Sequence, residues 1–496
     1  MLQFLCHILE KFAPNFMNII SFTKACFLLV VFVVSISLNA QHQEINENPQ
    51  VWKGKQHDSL NKSEDNFLQA FKKGHASGHF RYFFMNTQNQ GDLTDYYANA
   101  IGGGLKFETA KFHNFQFGVS GFYIFNIGSS DFGHLDPATG LANRYEIGLF
   151  DISDIHNKYH MDRLEELYIK YNFKSSRVQF GKQMINTPFI NLQDGRMRPT
   201  EVEALWADIK INPKLRFEGG YIFNISPRST LKFYSVPHSI GVYPSGINIE
   251  GKPSNYKGNL SSKGIFHFGL NAKVAKNLNV QIWDLVAENI FHSVYFETNY
   301  KHKLSPSHEL NFGFQSVYQH ALNNGGNDSF HKTYYPTSER GLTFGGRIGI
   351  KHKRYSISAN YNRITAHGRY LMPREWGRDP FYTFLPRERN EGLGDVNALV
   401  LKSSFQPLNS NFKYSLGAGY FDLPDVKNVR LNKYGMPSYY QINADLRYHF
   451  KGELEGFDLQ VLWVHKINAY SGFLENRFII NKVNMNNLNV ILNFHF

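Results

Sequence analysis

The stretch LNVILNFHF, residues 488–496, closes the chain on alternating residues: Leu488, Val490, Leu492, Phe494 and Phe496 take one side, and Asn489, Asn493 and His495, with Asn487 just before them, take the other. Side chains of a strand point to opposite faces with a period of two, so the segment reads as one apolar and one polar face, with Ile491 the exception. The last residues of a water-soluble domain are ordinarily loose and polar. A terminal strand that ends on phenylalanine asks for an apolar medium along one side.

The same period runs through the chain. In RFEGGYIFNI, residues 216–225, Phe217, Tyr221 and Phe223 oppose Arg216, Glu218 and Asn224; in QINADLRYHF, residues 441–450, Ile442, Leu446 and Phe450 oppose Gln441, Asp445 and Arg447. Eighteen such segments can be marked, the first near residues 78–86 and the last at 485–496. Their connections alternate between long and short, apart from one short link at Ile290 and Phe291. An even number of two-faced strands, with short turns at one end and long loops at the other, predicts an all-β, closed antiparallel transmembrane barrel. A secreted sandwich would alternate as well, but it would not order its loop lengths or place Phe80, Tyr82, Phe84, Phe457, Leu459, Val461 and Trp463 on an outer face. Composition agrees: 16% of the 496 residues are aromatic, while mean hydropathy is −0.38, so apolar residues are abundant without long apolar runs.

The one strongly apolar run, residues 25–40, follows Lys24 and ends in small or polar residues at Ala40, the pattern of a cleaved secretory leader. Residues 1–40 are therefore read as leader, with Met17 an alternative start, residues 41–76 as a periplasmic N-terminal segment and residues 77–496 as the barrel. Cys6 and Cys26 both fall in the leader, so the mature chain has no disulfide and no thiolate metal site. The leader carries Lys11, Lys24 and Glu10, so its removal lowers the formal net charge of +12 by one. An exported basic barrel points to anionic solutes and lipopolysaccharide as partners and away from nucleic acid.

Arg or Lys on the lipid face at mid-bilayer would cost about 2–4 kcal/mol, so charges within the strands belong in the lumen. Arg81, Arg177, Arg347 and Arg447 lie on that side by phase. The passage GKQMINTPFINLQDGRMRPTEVEALW, residues 181–206, mixes Ile185, Phe189 and Ile190 with Asp194, Arg196, Arg198 and Glu201. A surface loop has no need of that mixture; a loop folded into the lumen does. A second cluster, Arg369, Arg374, Arg378, Arg387 and Arg389 among prolines and aromatics, reads as a folded mouth loop that attracts anions or as a self-paired surface plug.

The 181–206 passage resembles the signature of OprD-type outer-membrane porins, the outer-membrane carboxylate channels. A G-x-Q strand end (Gly181, Gln183) leads to a T-P element (Thr187, Pro188) and a D-x-R-x-x-P-like run (Asp194, Arg196, Pro199). The opening strand, with Gly78 and Arg81, and the second and third strands are also similar to that family. The resemblance implies an 18-stranded, monomeric channel in a Gram-negative outer membrane, with passive diffusion past a constriction made by the in-folded third loop. It puts Arg196 and Arg198 at the constriction with Asp194, and it implies small hydrophilic, carboxylate-bearing solutes as cargo. The terminal Phe496 likewise resembles the signal read by the barrel-assembly machinery.

No H-E-x-x-H, G-x-S-x-G or phosphate-cradling loop is present, so no catalytic, metal or cofactor residue is assigned. The rival readings are a barrel hydrolase and a surface adhesin.

Overall fold

The computed structural model describes residues 51–52, 63–193 and 195–496. The expected leader, with Met17, and Asp194 lie outside the described residues.

One sheet contains 21 strands, three of them two-residue pairings, which leaves 18 in the wall. These are β1 His75–Gln88, β2 Tyr96–Glu108, β3 Phe115–Ser129, β4 Met161–Phe173, β5 Ser176–Gln183 and β6 Glu201–Asn212. Next come β7 Leu215–Ser226, β8 Ile265–Ala275, β9 Leu278–Ala287, β10 Phe291–Lys303, β11 His308–Ala321 and β12 Arg340–His352. The set ends with β13 Tyr355–Ile364, β14 Val396–Phe405, β15 Phe412–Asp422, β16 Tyr439–His449, β17 Phe457–Asn468 and β18 Met485–His495. Each of the eighteen sequence segments overlaps one of them. Every wall strand pairs antiparallel with its neighbours, and β18 returns to β1 in register from His79↔His495 to Gln88↔Asn486, which closes the barrel. The expected fold class is borne out.

The closing seam answers the period of the terminal segment. Met485, Asn487, Asn489 and Ile491 are buried inside, and the alternate residues face out. Ile491 breaks the polar pattern because it joins an apolar cluster with Phe83, Met85 and Phe122. Past the last paired residue, the Gly78 amide donates to the Phe496 carbonyl at 2.8 Å and the Phe496 amide to Gly78 at 3.1 Å. The Phe496 ring lies directly over Gly78, where a Cβ would stand 1.9 Å from the ring tip. Gly78→Val should therefore push the ring off the seam and cost about 1–3 kcal/mol, as overpacking does. A lower urea midpoint for the vesicle-embedded barrel would show it, and Phe496→Ala in the same chain should restore part of the loss.

Two long connections fold inward instead of standing above the wall. Residues 184–200 place Phe189 and Ile190, and residues 365–395 place Tyr370, Trp376, Phe381 and Leu385, in one buried cluster with the wall residues Ile222, Trp283, Tyr295 and Val317. The second connection is deep: Gln315 on β11 donates to the Pro380 carbonyl at 3.0 Å, and Gln441 on β16 donates to that of Pro386 at 2.7 Å. Alone, either connection would leave backbone groups buried without partners. They satisfy each other instead: the Asn191 side chain accepts from the Arg378 amide at 3.1 Å and donates to the Arg378 carbonyl at 2.9 Å, like an extra rung of sheet.

Candidate functional site

The in-folded segments divide the lumen. Toward the long loops lies a cavity of about 800 Å³. Below it, against β16, β17, β18 and β1, lies a smaller one of about 270 Å³. Arg196, Arg378, Phe384 and Arg387 line both, so they form the waist between the two. A third cavity, about 850 Å³, opens at the short-turn end against β6–β14.

Local structure explains why these arginines stand at the waist. Arg196 (φ 53°) and Arg387 (φ 72°) both adopt left-handed backbone conformations, which side chains other than glycine rarely do. Such strain, of order 1–3 kcal/mol per residue, persists only where the surroundings enforce it, and it gathers at functional sites. For Arg387 the enforcement is visible. Its Nε donates to Asn487 Oδ1 at 2.8 Å and a terminal nitrogen to Asn489 Oδ1 at 2.6 Å, while Lys466 Nζ donates to the Arg387 carbonyl at 2.6 Å. The inward asparagines of the terminal strand thus position a waist arginine. Arg378 stacks on Phe384, 4.5 Å from its centroid. The first in-folded segment is pinned in turn by its T-P element: Thr187 Oγ1 lies 2.8 Å from His267 Nε2 on β8, and the Ile190 amide donates to Thr187 Oγ1 at 3.0 Å.

The other sequence-selected residues separate into groups. Arg81 and Arg447 line the lower cavity, Arg447 paired with Asp445 at 2.9 Å. Arg347 lines the short-turn cavity, stacked 4.3 Å from the Tyr382 ring. Arg177 lines none of these cavities and pairs with Asp208 at 3.5 Å. Arg374 and Arg389 line the outer cavity.

Two expectations require correction. Arg198 does not line the waist: it is 2% exposed, its Nε donates to Glu165 at 2.5 Å with a second bond from a terminal nitrogen, and its plane lies between Phe122 (4.4 Å) and Trp52 (4.5 Å). Beside it, Arg163 pairs with Glu201 at 3.0 Å. This quartet of buried charges ties the end of the in-folded loop to β4, because two carboxylates there need two guanidinium groups. Arg369, expected at the mouth, is also buried. Its guanidinium donates to the carbonyls of Ile247, Asn248, Val429 and Arg430, and so fastens three connections together. Val51, within the segment expected to be periplasmic, lines the lower cavity.

Burial tunes several groups on the outer cavity. It pushes the Glu388 carboxyl up to about 8. Burial and the nearby Glu391 carboxylate push Asp379 up to about 6. Burial, with Arg144, Arg389 and Arg477 close by, lowers Lys482 to about 7. All three changes act in one direction: on acidification the two carboxyls lose negative charge and the lysine gains positive charge. Anion-over-cation permeability should therefore rise by roughly twofold or more between pH 9 and pH 5.5, since the charges act in one narrow space. Reversal potentials at the two pH values check this, and a flat ratio would count against it.

Residues 144–372 match the model of the family described as outer membrane porin, OprD family. No curated protein matches the chain by sequence. Among solved structures, OccAB4 of Acinetobacter baumannii superimposes with a TM-score of 0.65 at 14% identity, covering 85% of this chain and 98% of that one. OccK9 (OpdG) of Pseudomonas aeruginosa gives 0.66 at 13%, covering 86% and 99%. OpdK of Pseudomonas aeruginosa, solved with vanillate, gives 0.63 at 10%, covering 86% and 99%. The family and these neighbours are channels rather than enzymes, and they reside in the Gram-negative outer membrane. The family match over residues 144–372 and the shared 18-stranded barrel together make the chain similar to the OprD-type outer-membrane porins in that segment and in fold.

Proposed function

We propose that the barrel passes small hydrophilic anions, carboxylate-bearing solutes in particular, by passive diffusion from the outer cavity through the arginine waist to the lower cavity. One observation carries the reading: the four residues shared by the two cavities are three arginines and a phenylalanine. A guanidinium presents a planar fork of donors that matches a carboxylate, so each waist arginine can take over part of the hydration that a solute sheds in a narrow passage. Arg81, next in line below, offers the following positive site, while Arg447 there is paired with Asp445. Charge of one sign along a narrow pore sets ion preference. Asp194, which lies outside the described residues, keeps the role of a partner to these arginines within the proposal. The chain is read as a monomer, inserted by the assembly machinery through the strand that ends in Phe496, with lipid and lipopolysaccharide around it.

Single-channel recording in a planar bilayer, with a salt gradient to give the reversal potential, tests the proposal. Discrete steps with anion preference are expected. Cation preference, or no steps from folded protein, would refute it.

A further inference from the structure

The outer cavity carries far more positive charge than a simple carboxylate requires. Among the described residues its lining holds eleven Arg and Lys side chains against two carboxylates, Asp379 and Glu388. The cations enter from opposite sides: Arg144 from the connection after β3, Arg374 and Arg389 from that after β13, Lys427 from that after β15, and Lys482 from that after β17.

Crowded cations are ordinarily paired with acids, which cancels the charge. Here most of them lie on aromatic rings. Arg389 is 4.2 Å from the Tyr434 centroid, Arg144 5.2 Å from Tyr145 and Lys482 5.4 Å from Phe478; Arg477 and Arg374 also lie on rings, but pair with Glu475 at 3.0 Å and Glu391 at 3.3 Å. A cation–π contact holds a guanidinium without adding a negative charge. The ring therefore fixes the side chain without cancelling its charge, which Lys482, lowered to about 7, carries in full only below neutral pH. Glu391 and Glu475 pair with Arg374, Lys433 and Arg477, whereas among the described residues no ion pair involves Arg389, Arg144, Lys427 or Lys482. Size points the same way. A cavity of about 800 Å³ is that of a drug-sized occupant, much larger than one carboxylate solute.

We propose that the outer cavity is a binding site for a linear oligocarboxylate, a short oligomer with one carboxylate per unit, held by several ring-mounted cations at once. The proposal rests on the anion-channel reading and deepens it. The gain is that of multivalency: once one carboxylate is held, the next binds at high effective concentration. Acidic oligosaccharides and acidic oligopeptides share this chemistry.

Isothermal titration of the full mature chain in detergent micelles tests it, with trigalacturonate against galacturonate and triglutamate against glutamate. At least one trimer should bind about 100-fold or more tighter than its own monomer, and the one that does identifies the source. Arg389→Gln with Lys482→Gln should weaken that trimer about tenfold and its monomer less than about threefold. Lys427→Gln, at an exposed loop position away from the packed interior, gives an independent reading with a smaller loss of the same sign. Trimers that bind within about threefold of their monomers would overturn the proposal, because three independent sites give that much by statistics alone. Reversal potentials from the same preparation separate the two claims. An anion-selective channel without a trimer advantage refutes only the oligomer site. A trimer-binding barrel without anion preference refutes only the channel reading.

Discussion

A barrel carrying Arg378→Gln and Arg387→Gln should lose most of its anion preference, by roughly tenfold in permeability ratio, equivalent to about 1.4 kcal/mol of ion stabilisation. Both side chains line the two cavities on either side of the waist, where a permeating ion has the least water around it. In such a space a fixed charge acts through a lower effective dielectric than it would at the surface, so removing two charges outweighs any change in the loops above. Glutamine is the informative replacement. At 387 it can still donate to Asn487 or Asn489, the acceptors now bonded to Arg387, so the in-folded segment keeps an anchor while the charge goes. Arg378→Lys with Arg387→Lys should keep the preference and lose only the planar fork. Reversal potential and single-channel conductance together read the outcome, and an unchanged ratio in the glutamine variant would move the selective step away from the waist.

Arg198→Ala should have the opposite profile, with a large loss of stability and little change of selectivity. Arg198 lies behind the lumen surface, bonded twice to Glu165 and 2.8 Å from His79 Nδ1, between two aromatic rings. Removing one partner of a buried pair strands the other charge and costs about 3–5 kcal/mol. The denaturant midpoint in lipid vesicles should fall accordingly. Arg198→Ala with Glu165→Ala should recover part of the loss, since no orphaned carboxylate then remains. A selectivity change comparable to that of the waist variant would contradict the wall position.

Arg196 and Arg198 show how far residue type and spacing reach. They are two positions apart in one loop and were expected to share one role, yet the left-handed turn at Arg196 sends that side chain to the waist while Arg198 enters the wall. No period distinguishes them, because an irregular segment has none, and the acid that claims Arg198 is 33 residues away. The Arg369–Arg389 cluster makes the same point on a larger scale. Proline, aromatic and paired charge read alike for a surface plug and for a segment folded to the barrel centre. The choice rests on partners such as Gln315 and Gln441, at sequence separations of 65 and 55. The ring-mounted cations of the outer cavity gave no local signal, since Arg389 and Tyr434 meet only when two connections converge.

By itself, the sequence determined the wall. Eighteen two-faced strands, their loop rhythm and the closing role of LNVILNFHF follow from a period of two, which is a local property that lipid on one side enforces at every strand. Tertiary structure alone decided the inside: which connections fold in, which arginines meet at the waist and which are consumed in buried pairs. Those outcomes depend on contacts between distant segments, where burial and charge compensation act on whichever side chains the closed barrel brings together.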